Sequence, residues 1–389
     1  MNFHSPLPRT YTSMPDSYPA RWSAEQVRLI RESADNAIPL VDPATLAPVL
    51  PGLDLWDLWP LQNADGTTAR FDGWALWFVL SAPALPDPEA RHGIARIRMI
   101  AERDGAWRDH GNALPDGHNP GTREWAGSAR LDDPGTVTLF WTAAGMPGEA
   151  TPSFAQRMFE TTGTLTVGDE SIAITQWSTP REIAGGPIPH YTLVTQAEGV
   201  PGFIKGFRDP AHFRDEDGTT YLTFTGSLQD AASAWNGCVG LLRKGGEGWQ
   251  VLPPLMVADG LNNEQERPHL VRHDGMIYLF WATQRKVFAP DGPNGPNGLY
   301  GMVAERIDGP WRPLNGTGLV AGNPPEAPFQ TYSWWVTSDL TVHGFVDYPA
   351  SPHGNDHGDA AWRRAQFGGV PAPVFRLALD GDRAVVVGD

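Results

Sequence analysis

A single cysteine, Cys238, stands in a chain of 389 residues, so neither a disulfide within the chain nor a cysteine-based zinc site can form. No run of 18 apolar residues occurs, which excludes a membrane-spanning helix. Residues Met1 to Ser13 show no basic segment followed by an apolar one, so no Sec leader is expected, and the chain is read as cytoplasmic or exported by a leaderless route. Positive charge is also scarce: 29 Lys and Arg face 45 Asp and Glu, a net charge of -16. That balance repels phosphate backbones and anionic membrane surfaces, so no nucleic acid and no membrane is expected as a partner. A neutral substrate fits better. Nothing in the composition sets the oligomeric state.

Helical periodicity is nearly missing too. Ser23 with Gln26 makes a capping-box pattern, and Ala24, Val27, Ile30 and Ala34 then fall on one face, which predicts a helix over Ser23 to Ala37. Residues 1 to about 22 before it, rich in Pro, Ser and Tyr, read as an irregular arm.

What the chain does have is turns and aromatics: 43 Gly, 37 Pro and 16 Trp, with a hydrophobic share of 41% that can support a core. From Leu53 onward, short strands are punctuated by Asp-Gly, Pro-Gly and Asn-Gly turns, the pattern of an all-β meander. Trp74 to Leu80, Ile94 to Ile100, Thr136 to Trp141, Thr219 to Thr225, Met276 to Ala282, Leu299 to Glu305 and Val342 to Val346 are predicted strands. Residues 283 to 298 and 349 to 368 read as long loops of the kind that often carry function.

A repeat emerges when polar stretches are aligned with the strands that come after them. Arg208-Asp209-Pro210-Ala211-His212 leads to Asp217-Gly218 and Tyr221-Leu222, and Glu266-Arg267-Pro268-His269 leads to Asp274-Gly275 and Tyr278-Leu279. Ser128-Ala129-Arg130 leads to Asp133-Pro134-Gly135, and looser members surround Asp57 and Tyr332. Asp57, Trp125, Asp209, Glu266 and Tyr332 recur at intervals of roughly 57 to 84 residues, about one four-stranded blade each. The repeat predicts an all-β fold, a five-bladed β-propeller over residues 46 to 389 with a central funnel-shaped site, preceded by an arm and short N-terminal helix over residues 1 to 45.

Such a funnel would bring Asp57, Asp209 and Glu266 together. Retaining glycoside cleavage needs two carboxyls about 5–5.5 Å apart, one ionised and one protonated. Three close carboxylates raise one pKa enough to keep a proton. Glu266 is the best acid candidate because Glu264 lies two residues away, on the same side of a strand. Arg208 and Arg267 adjoin acidic residues and can orient carboxylates or sugar hydroxyls. His212 and His269 lack metal-ligand spacing and read as packing or supporting residues, Ser128 reads as structural, and no phosphate loop is present. No metal and no cofactor is expected.

Trp56-Asp57-Leu58-Trp59-Pro60-Leu61-Gln62-Asn63-Ala64-Asp65-Gly66 resembles the first signature of glycoside hydrolase family 68, the levansucrase family. Glu124-Trp125-Ala126-Gly127-Ser128-Ala129, Phe207-Arg208-Asp209-Pro210 and Glu264-Gln265-Glu266-Arg267-Pro268-His269 resemble its next three. Leu314 to Val320, Gly322-Asn323-Pro324 and Gln330-Thr331-Tyr332-Ser333 resemble its C-terminal block. The resemblance implies a five-bladed propeller that takes sucrose as donor and passes fructose to sugar acceptors or water. It implies Asp57 as nucleophile, Asp209 as stabiliser of the fructosyl unit and Glu266 as general acid/base. Trp56, Trp125, Arg208, Glu264, Arg267 and Tyr332 match subsite positions.

Departures from the family pattern bear on the fate of the fructosyl-enzyme. Ala126 and Leu58 stand where the family usually has small polar residues, Gln284 where it commonly has Arg or His that positions the acceptor, and Trp334 where it usually has His. Gln284, Ala126 and Trp334 motivate an invertase-like alternative, mainly hydrolytic. Asn263 stands where calcium-binding members carry Asp, so no structural calcium is expected. A sugar-binding propeller without catalysis is the reading from another class, disfavoured because all three carboxylates remain.

Overall fold

The structure, a computed structural model, describes residues 18–133, 135–185, 188–194, 204–246, 248–355 and 358–387. The predicted arm therefore lies outside the described residues apart from residues 18–22, and so does Pro134 of the expected Asp133-Pro134-Gly135 turn.

Five antiparallel sheets are arranged around an axis, each starting from an inner strand. Blade I comprises Leu53–Gln62, Trp74–Pro83, Arg96–Arg103 and Ala106–Asn112. Blade II comprises Arg123–Asp133, Thr136–Ala144, Gln156–Val167 and Ile172–Thr175. Blade III is Phe207–Arg214, Thr220–Ser227, Gly237–Gly245 and Gly248–Val257. In blade IV, Glu266–His273 and Met276–Thr283 are followed by Gly298–Ala304, which pairs with both Arg312–Pro313 and Leu319–Gly322. Blade V is built from Thr331–Val336, Thr341–Val346, Phe375–Asp380 and Arg383–Val387.

The inner strands lie side by side in chain order, and that of blade V returns to that of blade I, closing the ring. Blades I and II are also joined by parallel pairing, Leu61 to Ala129 and Gln62 to Arg130. The middle strands are almost wholly buried, as in Trp74–Pro83 and Thr136–Ala144, because blades cover them on both faces. All seven predicted strands are found.

The predicted helix is shorter than its periodicity suggests. The capping box forms, with Gln26 N–H donating to Ser23 Oγ and Ser23 N–H to Gln26 Oε1. The α-helix nevertheless spans only Ala24–Arg28, and a 3₁₀ turn follows at Ala34–Asn36. Arg31 donates to the carbonyls of Arg28 and Ile30, ending the ladder. The chain then crosses blades IV and V, Ile38 N–H donating to the Gly322 carbonyl of blade IV and Val41 N–H to Gln330 Oε1, just ahead of the inner strand of blade V. Tertiary docking overrides helix propensity here. Ahead of the helix, Ala20–Arg21 adds a parallel strand to blade III, and Trp22, 1% exposed, sits among Trp281, Phe288 and Tyr300 with ring centroids 5.0–5.5 Å away. Its Nε1 donates to the Thr317 carbonyl at 2.9 Å. The loop expected at residues 349 to 368 contains a second helix, Ala360–Gln366, pinned to blade I by Arg363–Asp87 and Arg364–Asp54 ion pairs.

Candidate active site

Every inner strand breaks register with its neighbour near the axis, between Trp56 and Trp59, Trp125 and Gly127, Arg208 and Ala211, Glu266 and His269, and Tyr332 and Trp335, and that of blade II shifts again between Leu131 and Asp133. Four of these bulges contain a non-glycine residue at positive φ, Asp57 (50°), Asp209 (61°), Arg267 (50°) and Ser333 (60°). Side chains of a regular strand alternate between faces, and a bulge breaks that alternation. Two consecutive residues of each blade consequently face one central cavity of about 350 Å³: Trp56 and Asp57, Trp125 and Ala126, Arg208 and Asp209, Glu266 and Arg267, Tyr332 and Ser333.

This corrects the alignment expected from sequence. Asp57 and Asp209 share their bulge position with Arg267 and Ser333, whereas Glu266 shares its position with Trp56, Arg208 and Tyr332. All ten predicted site residues, including Glu264 and Gln284, line the same cavity. Trp334 does not; it is buried with its ring edge-on to Tyr332 at 5.6 Å.

Arg208 is the electrostatic centre. Its Nη2 donates to Glu264 Oε2 at 3.1 Å and Glu266 Oε1 at 2.8 Å, and its Nε lies 3.6 Å from Asp209 Oδ2. Burial works against the guanidinium charge, but these three carboxyls hold it on. Asp209 Oδ2 accepts from Thr225 Oγ1 at 2.8 Å and from the Arg267 N–H at 3.2 Å, and burial pushes the carboxyl up to about 6. Burial also raises Asp57 above the ordinary Asp value, against Arg267 and a hydrogen bond from Ser333. Blade V thus supplies the polar contact that Ala126 of blade II cannot.

Arg267 is spent on structure. Its Nη1 donates to Ser333 O and Oγ at 2.7 and 2.8 Å, its Nη2 to the Leu58 carbonyl at 2.6 Å, and Trp59 and Trp335 flank it with centroids 5.9 and 5.4 Å away. It therefore joins blades I, IV and V beside Asp57.

Glu264 and Glu266 titrate as a pair. Glu264 is not on the strand, which begins at Glu266, so the shared strand face expected from sequence does not exist. Its N–H donates to Asn262 Oδ1 at 2.9 Å and its carbonyl accepts from Thr283 Oγ1 at 2.7 Å, which turns its carboxyl towards Arg208. Burial pushes Glu264 up to about 7, Arg208 opposing and Glu266 adding to it. For Glu266, burial is outweighed by Arg208 and by hydrogen bonds, including that donated by the Tyr332 hydroxyl, and its carboxyl lies below the ordinary value. The pair keeps a proton towards neutrality as expected, but that proton rests on Glu264.

Sequence reasoning missed the outer wall. Glu89 and Arg91, from the 3₁₀ turn Pro88–Gly93, and Asp347, directly after the strand Thr341–Val346, also line the cavity. Glu89 accepts from Arg91 Nη1 at 2.9 Å, Tyr348 Oη at 2.8 Å and Asn355 Nδ2 at 2.8 Å. Burial pushes Asp347 up to about 7. Their only sequence signals were a charged run, Asp87-Pro88-Glu89-Ala90-Arg91-His92, and an acid ending a strand. The two repeated histidines prove to be packing groups: His269 Nε2 accepts from Val336 N–H at 2.9 Å and stacks on Trp335 at 4.3 Å, while His212 N–H donates to Ser128 Oγ at 3.0 Å. Among the described residues no three His, Cys, Asp or Glu converge as metal ligands.

A levansucrase of Pseudomonas savastanoi pv. glycinea is 32% identical over 421 residues, covering 95% of this chain and 90% of that protein. Among solved structures, an inulosucrase from Halalkalicoccus jeotgali bound to kestose superposes with a TM-score of 0.87 at 35% identity over 95% of both chains. The catalytic domain of a β-fructofuranosidase from Microbacterium saccharophilum K-1, at 23% identity and a TM-score of 0.80 over 98% of this chain and 94% of that one, shares the fold. With its five-bladed ring, its three converging carboxyls and a Levansucrase/Invertase profile that matches residues 12–236 and 228–388, the chain belongs to the Levansucrase/Invertase family, glycoside hydrolase family 68.

Proposed function

We propose that this protein is a retaining β-fructosyltransferase that cleaves sucrose through a covalent fructosyl-enzyme and passes fructose to a sugar acceptor, with water as the competing acceptor. The observation that carries the reading is the convergence of Asp57, Asp209 and Glu266, from three different blades, on one cavity around Arg208.

Asp57, ionised and held by Ser333 beside Arg267, is the nucleophile at the anomeric carbon of the fructosyl unit. As its C–O bond forms, the bond to the glucosyl oxygen breaks, and that oxygen takes the proton retained by the Glu264–Glu266 pair, delivered by Glu266. Glu266 then takes a proton from the incoming hydroxyl as fructose leaves Asp57. Asp209 holds fructosyl hydroxyls by hydrogen bonds. Trp56 and Trp125 present indole rings to the sugars. Transfer is favoured over pure hydrolysis because the similar curated proteins are named levansucrases and the solved structure at 35% identity is an inulosucrase with kestose bound.

Incubation with sucrose tests the reading. Glucose should exceed free fructose, with the difference recovered in oligosaccharide or levan, and Asp57→Ala should release no glucose. Equal glucose and fructose at high sucrose would move the assignment to the invertase-like hydrolase.

A further inference from the structure

The segment that carries Glu264 is tied down by a cation that the chain itself supplies. Lys205, half-buried just ahead of the inner strand of blade III, donates from Nζ to the Ala234 carbonyl at 2.5 Å, Asn236 Oδ1 at 2.5 Å and Asn263 Oδ1 at 3.3 Å. Asp259 and Glu264 face the same ammonium. Neutral oxygens and carboxyls converging on one positive charge make the environment of a hard cation, here filled by a side chain with three donors.

The ammonium sets the direction of an amide. With Oδ1 of Asn263 engaged by Lys205, Nδ2 must point the other way, and it donates to the Ile204 carbonyl and, at 3.4 Å, to Glu264 Oε1. The backbone of Lys205 is anchored as well: its carbonyl accepts from Gln156 Nε2 at 3.2 Å, while Gln156 Oε1 accepts from the Phe207 N–H at 2.9 Å. Gln156, Ile204 and Glu264 all line the catalytic cavity. Close approach of the chain at Asn236 to that at Asn263 requires Gly237, where a Cβ would meet the Asn263 carbonyl carbon and Gln265 Oε1, each at 2.6 Å.

We propose that Lys205 is an internal cation that fixes the Asn263 amide and, through it, the Glu264 carboxyl, which makes it a positioning residue for fructosyl transfer. The proposal rests on reading Glu264 and Glu266 as the acid end of the site.

Lys205→Met keeps the chain length and removes the charge. Its kcat on sucrose should fall about ten-fold or more with a smaller change in KM, since the group acts on the acid and not on the sugar. Glu264, which faces Arg208, Glu266 and Lys286 besides Lys205, loses a cation, so the alkaline limb of kcat/KM should move up by about half a pH unit or more. Lys205→Arg, which keeps the charge, should restore the limb. Asn263→Ala removes the amide with Lys205 in place and should move the limb the same way, including where Lys205→Met does not fold. A kcat within about twofold of the parent and an unmoved limb in the folded variants, whatever the melting temperature does, overturns the proposal. Glu266→Gln run alongside separates the two levels: if it stays fully active, the reading of the acid end fails and the proposal with it, whereas an inactive Glu266→Gln beside a normal Lys205→Met refutes the positioning role alone.

Discussion

Asp57 and Asp209 occupy the same position of the same bulge in blades I and III, and both are held at positive φ, 50° and 61°. A left-handed backbone costs a non-glycine residue on the order of 1–2 kcal/mol, because Cβ crowds the following carbonyl. Strain of this kind persists where the surrounding structure over-determines it, and here it turns two carboxyls into the funnel. Position 57 is therefore a place where stability and chemistry pull in opposite directions.

Replacing Asp57 by Gly and by Ala separates the two. Neither variant should release glucose from sucrose. Asp57→Gly should unfold at higher denaturant than Asp57→Ala, by about 1 kcal/mol, since only glycine adopts this backbone without strain. Equal stability of the two variants would show that the bulge is relaxed and stores no strain at this position.

The pH dependence is set by which carboxyls hold protons. As pH falls through about 6, Asp209 becomes protonated and loses its charge, with Asp57 displaced in the same direction, so activity falls on the acid side. As pH rises through about 7, the Glu264–Glu266 pair gives up the proton that the leaving glucose needs, so activity falls on the alkaline side. A bell-shaped kcat/KM profile with its maximum between about 6 and about 7 is expected. Glu264→Gln removes the carboxyl that holds the pair's proton and leaves Glu266, already below the ordinary Glu value, to set the limb, which should shift to lower pH. An unmoved or upward-shifted limb would mean that neither carboxyl of the pair supplies the proton lost on the alkaline side.

Trp22 offers a control away from the chemistry. It closes the contact between the N-terminal segment and blade IV through its three aromatic neighbours and the Thr317 carbonyl. Trp22→Ala should cost about 3–5 kcal/mol of stability, seen as an early urea transition, while kcat per folded molecule stays unchanged. A loss of kcat in the folded variant would place the N-terminal segment in the working site.

The three carboxylates were legible in the sequence because each inner strand announces itself through local turn chemistry, such as Asp217-Gly218 and Asp274-Gly275, which survives in any fold. Their register was not. Whether Asp57 is equivalent to Glu266 or to Arg267 depends on bulges set by ring closure, which no local pattern encodes. The same holds for Arg91 and Asp347, which reach the cavity from outside the repeat. The start of the first helix was legible from its capping box, while its end was decided by the docking of residues 34–41 on blades IV and V. Which member of the Glu264–Glu266 pair carries the proton depends on Arg208 and Tyr332, from two other blades.

Gln284 is the residue to test for control over the fate of the fructosyl-enzyme. It lies at the cavity wall directly before the turn Arg285–Val287, and its amide donates to the Tyr332 hydroxyl, which in turn donates to Glu266. One N–H of the amide is thus taken up by Tyr332, and transfer depends on holding the incoming sugar better than water. A histidine or arginine at this position can reach an acceptor hydroxyl with a ring or guanidinium nitrogen. Gln284→His should therefore raise the share of fructose recovered in oligosaccharides at high sucrose by about two- to five-fold, with sucrose consumption within about threefold of the parent. Gln284→Ala, which frees Tyr332 without adding a donor, should leave that share unchanged or lower it. Quantitation of glucose, free fructose and oligomers checks both, and an unchanged product ratio in Gln284→His would remove this residue from acceptor selection.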